Sequence, residues 1–137
     1  MSAPATRHKP RPLSPHLQVY KLIPTMVMSI THRITGGALY VGTLILAWWI
    51  SAAAGSEAYY DFVNGIVGSW FGQLVLFGFT WSLMFHMLGG VRHLIWDAAV
   101  GLSPKSADLL SWGSMIVGVV GAVAFWAFLF ASGRVVL

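Results

Sequence analysis

Cysteine is absent from the 137 residues of this chain. That excludes disulfides, thiolate metal sites and iron–sulfur clusters held by the chain itself. Charge is nearly as scarce. Asp, Glu, Lys and Arg make up 9% of residues, where a soluble domain averages about 25%. With 57% hydrophobic residues, this balance argues against water as the principal solvent. Acids are the scarcest charge, four against eight Lys and Arg, for a net charge of +4. A basic chain raises the question of nucleic acid, but the basic residues form no patch interleaved with aromatics, and no nucleic-acid partner is expected.

What the sequence has instead is long apolar runs. Residues 34–56, 62–91 and 109–133 contain no Asp, Glu, Lys or Arg. A membrane-crossing helix needs about 20 apolar residues. The sequence therefore predicts an all-α membrane protein with three transmembrane helices, near 25–53, 70–98 and 110–132. Two parts are expected, a basic N-terminal arm over 1–24 and a transmembrane anchor domain over 25–137. The arm holds Arg7, Lys9, Arg11 and Lys21 and no acid. It lacks an apolar segment ahead of a small-residue cleavage site, so it reads as an orienting arm rather than a targeting peptide. The first loop, AAAGSEAYYDFVNG, carries Glu57 and Asp61 and no base, whereas Arg92 and Lys105 edge or enter the second loop. Positive charge on the cytoplasmic side then puts the N-terminus and second loop inside and the first loop and C-terminus outside, with Arg134 a minor contrary charge.

Pro24 suits a helix start, where a missing N–H costs little, and LSP at 102–104 breaks the chain before the third span. Trp48, Trp49, Trp70 and Trp112 fall near expected interfaces. The third span has glycines at 113, 118 and 121, which suit helix packing, and no ionisable group, so it is expected to be structural.

The first two spans differ. The first places Ser29, His32, Arg33, Gly36 and Tyr40 on one helical face, and the second does the same with His86, Gly89, Gly90, His93 and Asp97. Ionisable groups inside a membrane are costly and usually mark function. Simpler roles exist for each: Arg33 and Arg92 snorkelling to headgroups, His93 favouring the negative pole of its helix end, His86 bonding a neighbouring helix. His86 is the deepest, about 12 residues or roughly 18 Å from the inner end of its span. Lipid cannot satisfy its ring nitrogens there. The functional alternative is haem iron ligation, since helix-borne imidazole is a usual axial ligand. Gly89 and Gly90, one turn away, would let a flat macrocycle approach the backbone. His32 and Arg33 lie roughly 12–14 Å and His93 roughly 8 Å from the inner edge, where they would meet haem propionates; arginine's planar fork suits a carboxylate. Ser29, one turn further out than Arg33, would join it in hydrogen-bonding the carbonyl oxygens of a quinone arriving from lipid.

RPLSPHLQVY, then SITHRITGG, then HMLGGVRHLIWD, in this order and over nearly the whole chain, closely resemble the cytochrome b membrane-anchor subunits of succinate dehydrogenase, respiratory complex II. The resemblance implies that the chain is half of a heterodimeric haem-binding anchor bundle in a bacterial inner membrane rather than a mitochondrial one. It implies His86 as the haem b iron ligand, with a second small anchor subunit supplying the other ligand. Ser29 and Arg33 fall on the family's ubiquinone-site serine and arginine, and His32, Arg33 and His93 on its propionate side. Asp97 ends the pattern, near the quinone, as an organiser of protons or water. FAD and iron–sulfur clusters belong to the flavoprotein and iron–sulfur partner subunits, so no succinate-oxidising centre is expected here. The competing expectations are a haem-free membrane anchor of a related quinone-linked complex such as fumarate reductase, and a small transporter or channel subunit whose polar stripe lines a path.

Overall fold

Serine and proline set where the helices of this chain begin. The computed structural model describes residues 11, 12, 14, 16 and 20–135; Arg7 and Lys9 of the expected arm lie outside the described residues. Helix α1 spans Pro24–Ala53, with Pro24 in its first turn where no N–H is needed. Helix α2 spans Glu57–Val67. Ser56 caps it by accepting from the Tyr59 N–H, and Glu57 sits at its positive end. Helix α3 spans Trp70–Asp97, capped by Ser69 on the Gly72 N–H. Helix α4 spans Pro104–Ala131, capped by Ser103 on the Ser106 N–H, with proline again in the first turn. The described residues contain no strand.

Two features differ from the sequence expectation. The first loop folds into α2, because Ser56 and Glu57 supply a start signal and Tyr60, Val63 and Val67 give one side of the segment something to pack. The third span begins at Pro104 rather than near 110, so Lys105 and Asp108 belong to its polar first turns. Helices α1, α3 and α4 are each long and apolar enough to cross a membrane; α1, with 30 residues, reaches about 45 Å at 1.5 Å per residue, against a hydrocarbon core of about 30 Å.

Helix α3 lies at the centre, packed on α1 on one side and α4 on another, while α1 also touches α4 and α2 rests on α1 and α3. Small residues let the helices close. The Phe79 ring fills the space a Gly42 side chain would need, and Gly118 of α4 lies against the Phe85 backbone. Most large apolar side chains, Leu44, Val120 and Phe128 among them, are exposed on the outside of the bundle, as an apolar solvent permits. Indole donors tie the pieces: Trp48 to the Tyr59 hydroxyl (2.8 Å), Trp49 to Asn64 Oδ1 (2.9 Å) and Trp126 to Thr80 Oγ1 (3.1 Å). The first two hold α2 against the end of α1.

Arg92 departs from the snorkelling alternative. It is 3% exposed, donates to Ser111 Oγ on α4 at 2.9 Å, and stacks over the Trp96 ring at 4.7 Å. Its side chain points into the α3–α4 seam and away from any surface from which it would reach headgroups.

Both α3 and α4 end in the same hydrogen-bonded reversal. After α4, the Gly133 N–H reaches the Phe130 carbonyl and the Arg134 N–H the Leu129 carbonyl; after α3, the Ala99 N–H reaches Trp96 and the Val100 N–H reaches Ile95. The residue that must turn left-handed is glycine in one case (φ 67°) and alanine in the other (φ 57°). The alanine is strained at this position. Ala99→Gly should raise stability by about 0.5–1 kcal/mol, read as a higher midpoint of thermal unfolding in detergent; an unchanged or lower midpoint would count against the strain.

Candidate functional site

The polar faces of α1 and α3 meet at two histidines. The His32 and His86 rings stack with centroids 3.9 Å apart and planes 14° from parallel. Each ring reaches across to the other residue's backbone. His86 Nδ1 donates to the His32 carbonyl at 3.1 Å, and His32 Nε2 donates to the His86 carbonyl at 3.3 Å. Because a carbonyl only accepts, these bonds fix where the ring hydrogens sit. His86 therefore carries a hydrogen on Nδ1, and its Nε2 has no hydrogen-bond partner among the described residues.

Glycines make the exchange possible. The His32 ring occupies the space a Gly89 side chain would fill, and His86 Cε1 would stand 3.1 Å from a Cβ at Gly36. Each helix thus offers a histidine and receives one. Gly89 is given over to His32, whereas Gly90 has no atom within 4 Å of where its Cβ would be. Thr35, 1% exposed, completes the α1 side of the His86 ring, with Oγ1 at 3.4 Å from Nδ1.

His93 extends the cluster by one element. It is exposed, meets His32 edge-on at 5.7 Å and Trp96 at 5.5 Å. Ser29 is half-buried, Arg33 and Asp97 are exposed, and none of the three makes a side-chain hydrogen bond or ion pair among the described residues. His32 and Arg33 are neighbours in sequence, so they project about 100° apart around the helix: the histidine turns into the α1–α3 seam and the arginine outward. Thr35 is not among the residues that the sequence singles out, and Arg92, which the sequence places at a loop edge, is buried. Thr35 is adjacent to the polar stripe and one turn from His32, which is the signal that was available.

Beyond the histidines, towards the α2 end, α1 and α3 part to leave a cleft of about 640 Å³. Thr35 and Ser82 line it, and the rest is apolar, including Ala38, Ile45, Phe79 and Trp81. No group of three or more His, Asp or Glu side chains among the described residues is arranged to hold a metal ion. A lone imidazole with a free nitrogen beside an apolar cleft is suited to a metal whose remaining ligands arrive with a macrocycle or another chain.

Residues 7–131 match the family of the succinate dehydrogenase/fumarate reductase transmembrane subunit. The chain belongs to that family. Among its relatives is the succinate dehydrogenase cytochrome b556 subunit of Paracoccus denitrificans, 42% identical over 122 residues that cover 86% of this chain and 94% of that protein. The cytochrome b556 subunit of Rickettsia felis is 33% identical over 116 residues, 85% of this chain and 90% of the relative. The mitochondrial cytochrome b560 subunit of Bos taurus is 33% identical over 119 residues, 85% of this chain and 70% of the relative. The family match runs through all three long helices and both histidine-bearing faces.

The two glycines facing the histidines predict unequal tolerance. Gly89→Ala should cost about 1–3 kcal/mol of stability, because the new methyl drives into a ring held by its own hydrogen bond. Gly36→Ala should cost less, because a shift of the His86 ring by a few tenths of an ångström relieves it. Thermal unfolding of the two detergent-solubilised variants measures the difference; equal midpoints would contradict the interlock.

Proposed function

We propose that this chain is one half of the membrane anchor of a succinate:quinone oxidoreductase, holding haem b through His86 and lending Ser29 and Arg33 to a ubiquinone site. The observation that carries the proposal is the His86 ring, which is hydrogen-bonded at Nδ1 to a backbone carbonyl and has no partner at Nε2 among the described residues. This is the form in which a histidine ligates iron. The names of the relatives as b-type cytochromes support it.

The residues fit a haem. His86 Nε2 would hold the iron, and Gly90 leaves open backbone one turn away. The exposed His93 and Arg33 would offer hydrogen-bonding groups to propionates, with His32 packed edge-on against His93 on the same side. His32 stacks alongside His86 and would not share the iron with it, and a second anchor subunit would supply the further protein ligand. Bound there, haem b supplies a one-electron store within the membrane.

The remaining chemistry belongs to the chain's own side chains. Ser29 and Arg33 donate hydrogen bonds to the carbonyl oxygens of ubiquinone, and the guanidinium stabilises the negative charge that grows on them. Asp97, exposed at the end of α3, organises water or a proton beside the same site. Succinate oxidation at FAD and electron passage through iron–sulfur clusters take place in the flavoprotein and iron–sulfur partners, so the anchor contributes docking, haem binding and part of the quinone pocket. The basic arm of residues 1–24 and the bacterial relatives support an N-terminus on the cytoplasmic side of a bacterial inner membrane, with 25–137 as the anchor domain.

In the purified complex, His86→Ala should abolish the b-type bands of the reduced-minus-oxidised spectrum; their survival would overturn the ligand assignment. Ser29→Ala and Arg33→Ala should lower ubiquinone reduction about tenfold or more, the loss of one hydrogen bond to a developing charge. Succinate oxidation with a soluble artificial acceptor should stay near normal. Equal losses in both assays would point to assembly and remove the quinone role.

A further inference from the structure

The side of His86 away from any iron is built almost entirely by one turn of α1, residues 32–36. Its carbonyl at His32 accepts from Nδ1 at 3.1 Å, its glycine at 36 leaves room for Cε1, and its hydroxyl at Thr35 stands 3.4 Å from Nδ1. Thr35 is 1% exposed, so neither water nor lipid supplies the hydroxyl with a partner.

The ordinary role of a threonine inside a transmembrane helix is to return its hydrogen to a carbonyl one turn back. Thr35 does this, with Thr31 O at 2.9 Å and His32 O at 3.0 Å. That role uses its single hydrogen and leaves the oxygen lone pairs unspent. The hydroxyl oxygen lies 3.4 Å from Nδ1, whose hydrogen is also directed at the His32 carbonyl. The back-bond therefore orients the hydroxyl as an acceptor for the imidazole.

We infer that Thr35 is a positioning residue for the iron ligand: its hydroxyl shares the Nδ1 hydrogen of His86 with the His32 carbonyl, and so sets both the ring's direction and its electron richness. This rests on His86 being the haem ligand. Acceptors on the far nitrogen make an imidazole a stronger donor and favour the ferric state. Two acceptors do so more than one, and they hold the ring against rotation about its Cβ–Cγ bond.

The test uses the assembled complex with wild-type chain, Thr35→Val, Thr35→Ala and Thr35→Ser. Valine keeps the shape of threonine and removes the acceptor; serine keeps the acceptor and removes the methyl. Haem content, the optical redox midpoint and the low-spin ferric electron paramagnetic resonance signal are read for each. The valine and alanine variants should retain haem with an upward shift of the midpoint and a displaced low-spin signal, and serine should restore wild-type values. A valine variant with wild-type midpoint and signal overturns the inference, as does a serine variant shifted as far as valine, because the methyl would then be responsible. Failure of both valine and alanine complexes to assemble also overturns it, since the hydroxyl would then serve helix packing. Haem retained with an unchanged low-spin signal in His86→Ala would instead defeat the ligand assignment itself, and is a separate outcome.

Discussion

The crossed pair of imidazole-to-carbonyl bonds between His32 and His86 is the constraint on which the rest of the bundle depends. An imidazole in an apolar span carries an N–H that lipid cannot satisfy, and an unmet donor there costs several kcal/mol at most and rarely less than about one. Here each ring answers the other's problem by using a carbonyl whose helical hydrogen bond leaves one lone pair spare. Carbonyls do not move independently of their helix. Once both bonds are made, the spacing and register of α1 against α3 are set, and so is the direction of the His86 Nε2. Gly36 and Gly89 are consequences of the same exchange, since the rings need the volume that side chains there would occupy.

Helix α3 is held from its other side by a different polar contact. Arg92 follows Val91 and precedes His93, yet it faces α4, giving one hydrogen bond to Ser111 and its flat face to Trp96. Its Nε, like Trp96 Nε1, is buried without a hydrogen bond among the described residues. A buried guanidinium with one hydrogen bond made is costly to strip of it, because the buried charge would then lose that partner. The helix that carries His86 is thus pinned on two faces by polar groups, while apolar contacts such as Phe85 against Gly118 fill the space between.

The parts of this architecture that follow from hydropathy were open to sequence reasoning. Three charge-free runs gave three spans, and the i, i+3, i+4, i+7 spacing put His32 and His86 on faces that do meet. What spacing could not supply was rotation and partner choice. His32 and Arg33 look like one motif in sequence, but a turn of 100° sends one into the seam and the other outside. Gly89 and Gly90 look interchangeable, but only the first is filled by a histidine. Helix α2 was obscured because Glu57 and Asp61 made a short amphipathic segment resemble a loop, and the first turns of α4 because Lys105 and Asp108 broke the apolar run. Spacing alone does not set Thr35 apart; its hydroxyl stands beside Nδ1 only once α1 and α3 are packed.

The polar surface that the bundle leaves uncovered has its own logic. Exposed leucines and phenylalanines on a membrane protein need no explanation, since lipid is as apolar as they are. Arg33 and His93 do. Both are exposed, and Arg33 lies about nine residues past the start of α1, roughly 13 Å along the helix, where a charge needs a partner. Among the described residues neither meets an acid: the two nearby stripes carry a single one, Asp97, which makes no ion pair there. A pair of cationic or hydrogen-bonding groups beside a metal-competent imidazole, opposite an apolar cleft, is half of an enclosure. The other half has to bring acidic groups to the arginine and an apolar wall to the cleft. On the function proposed above, haem propionates would meet the first need and a second membrane subunit the other.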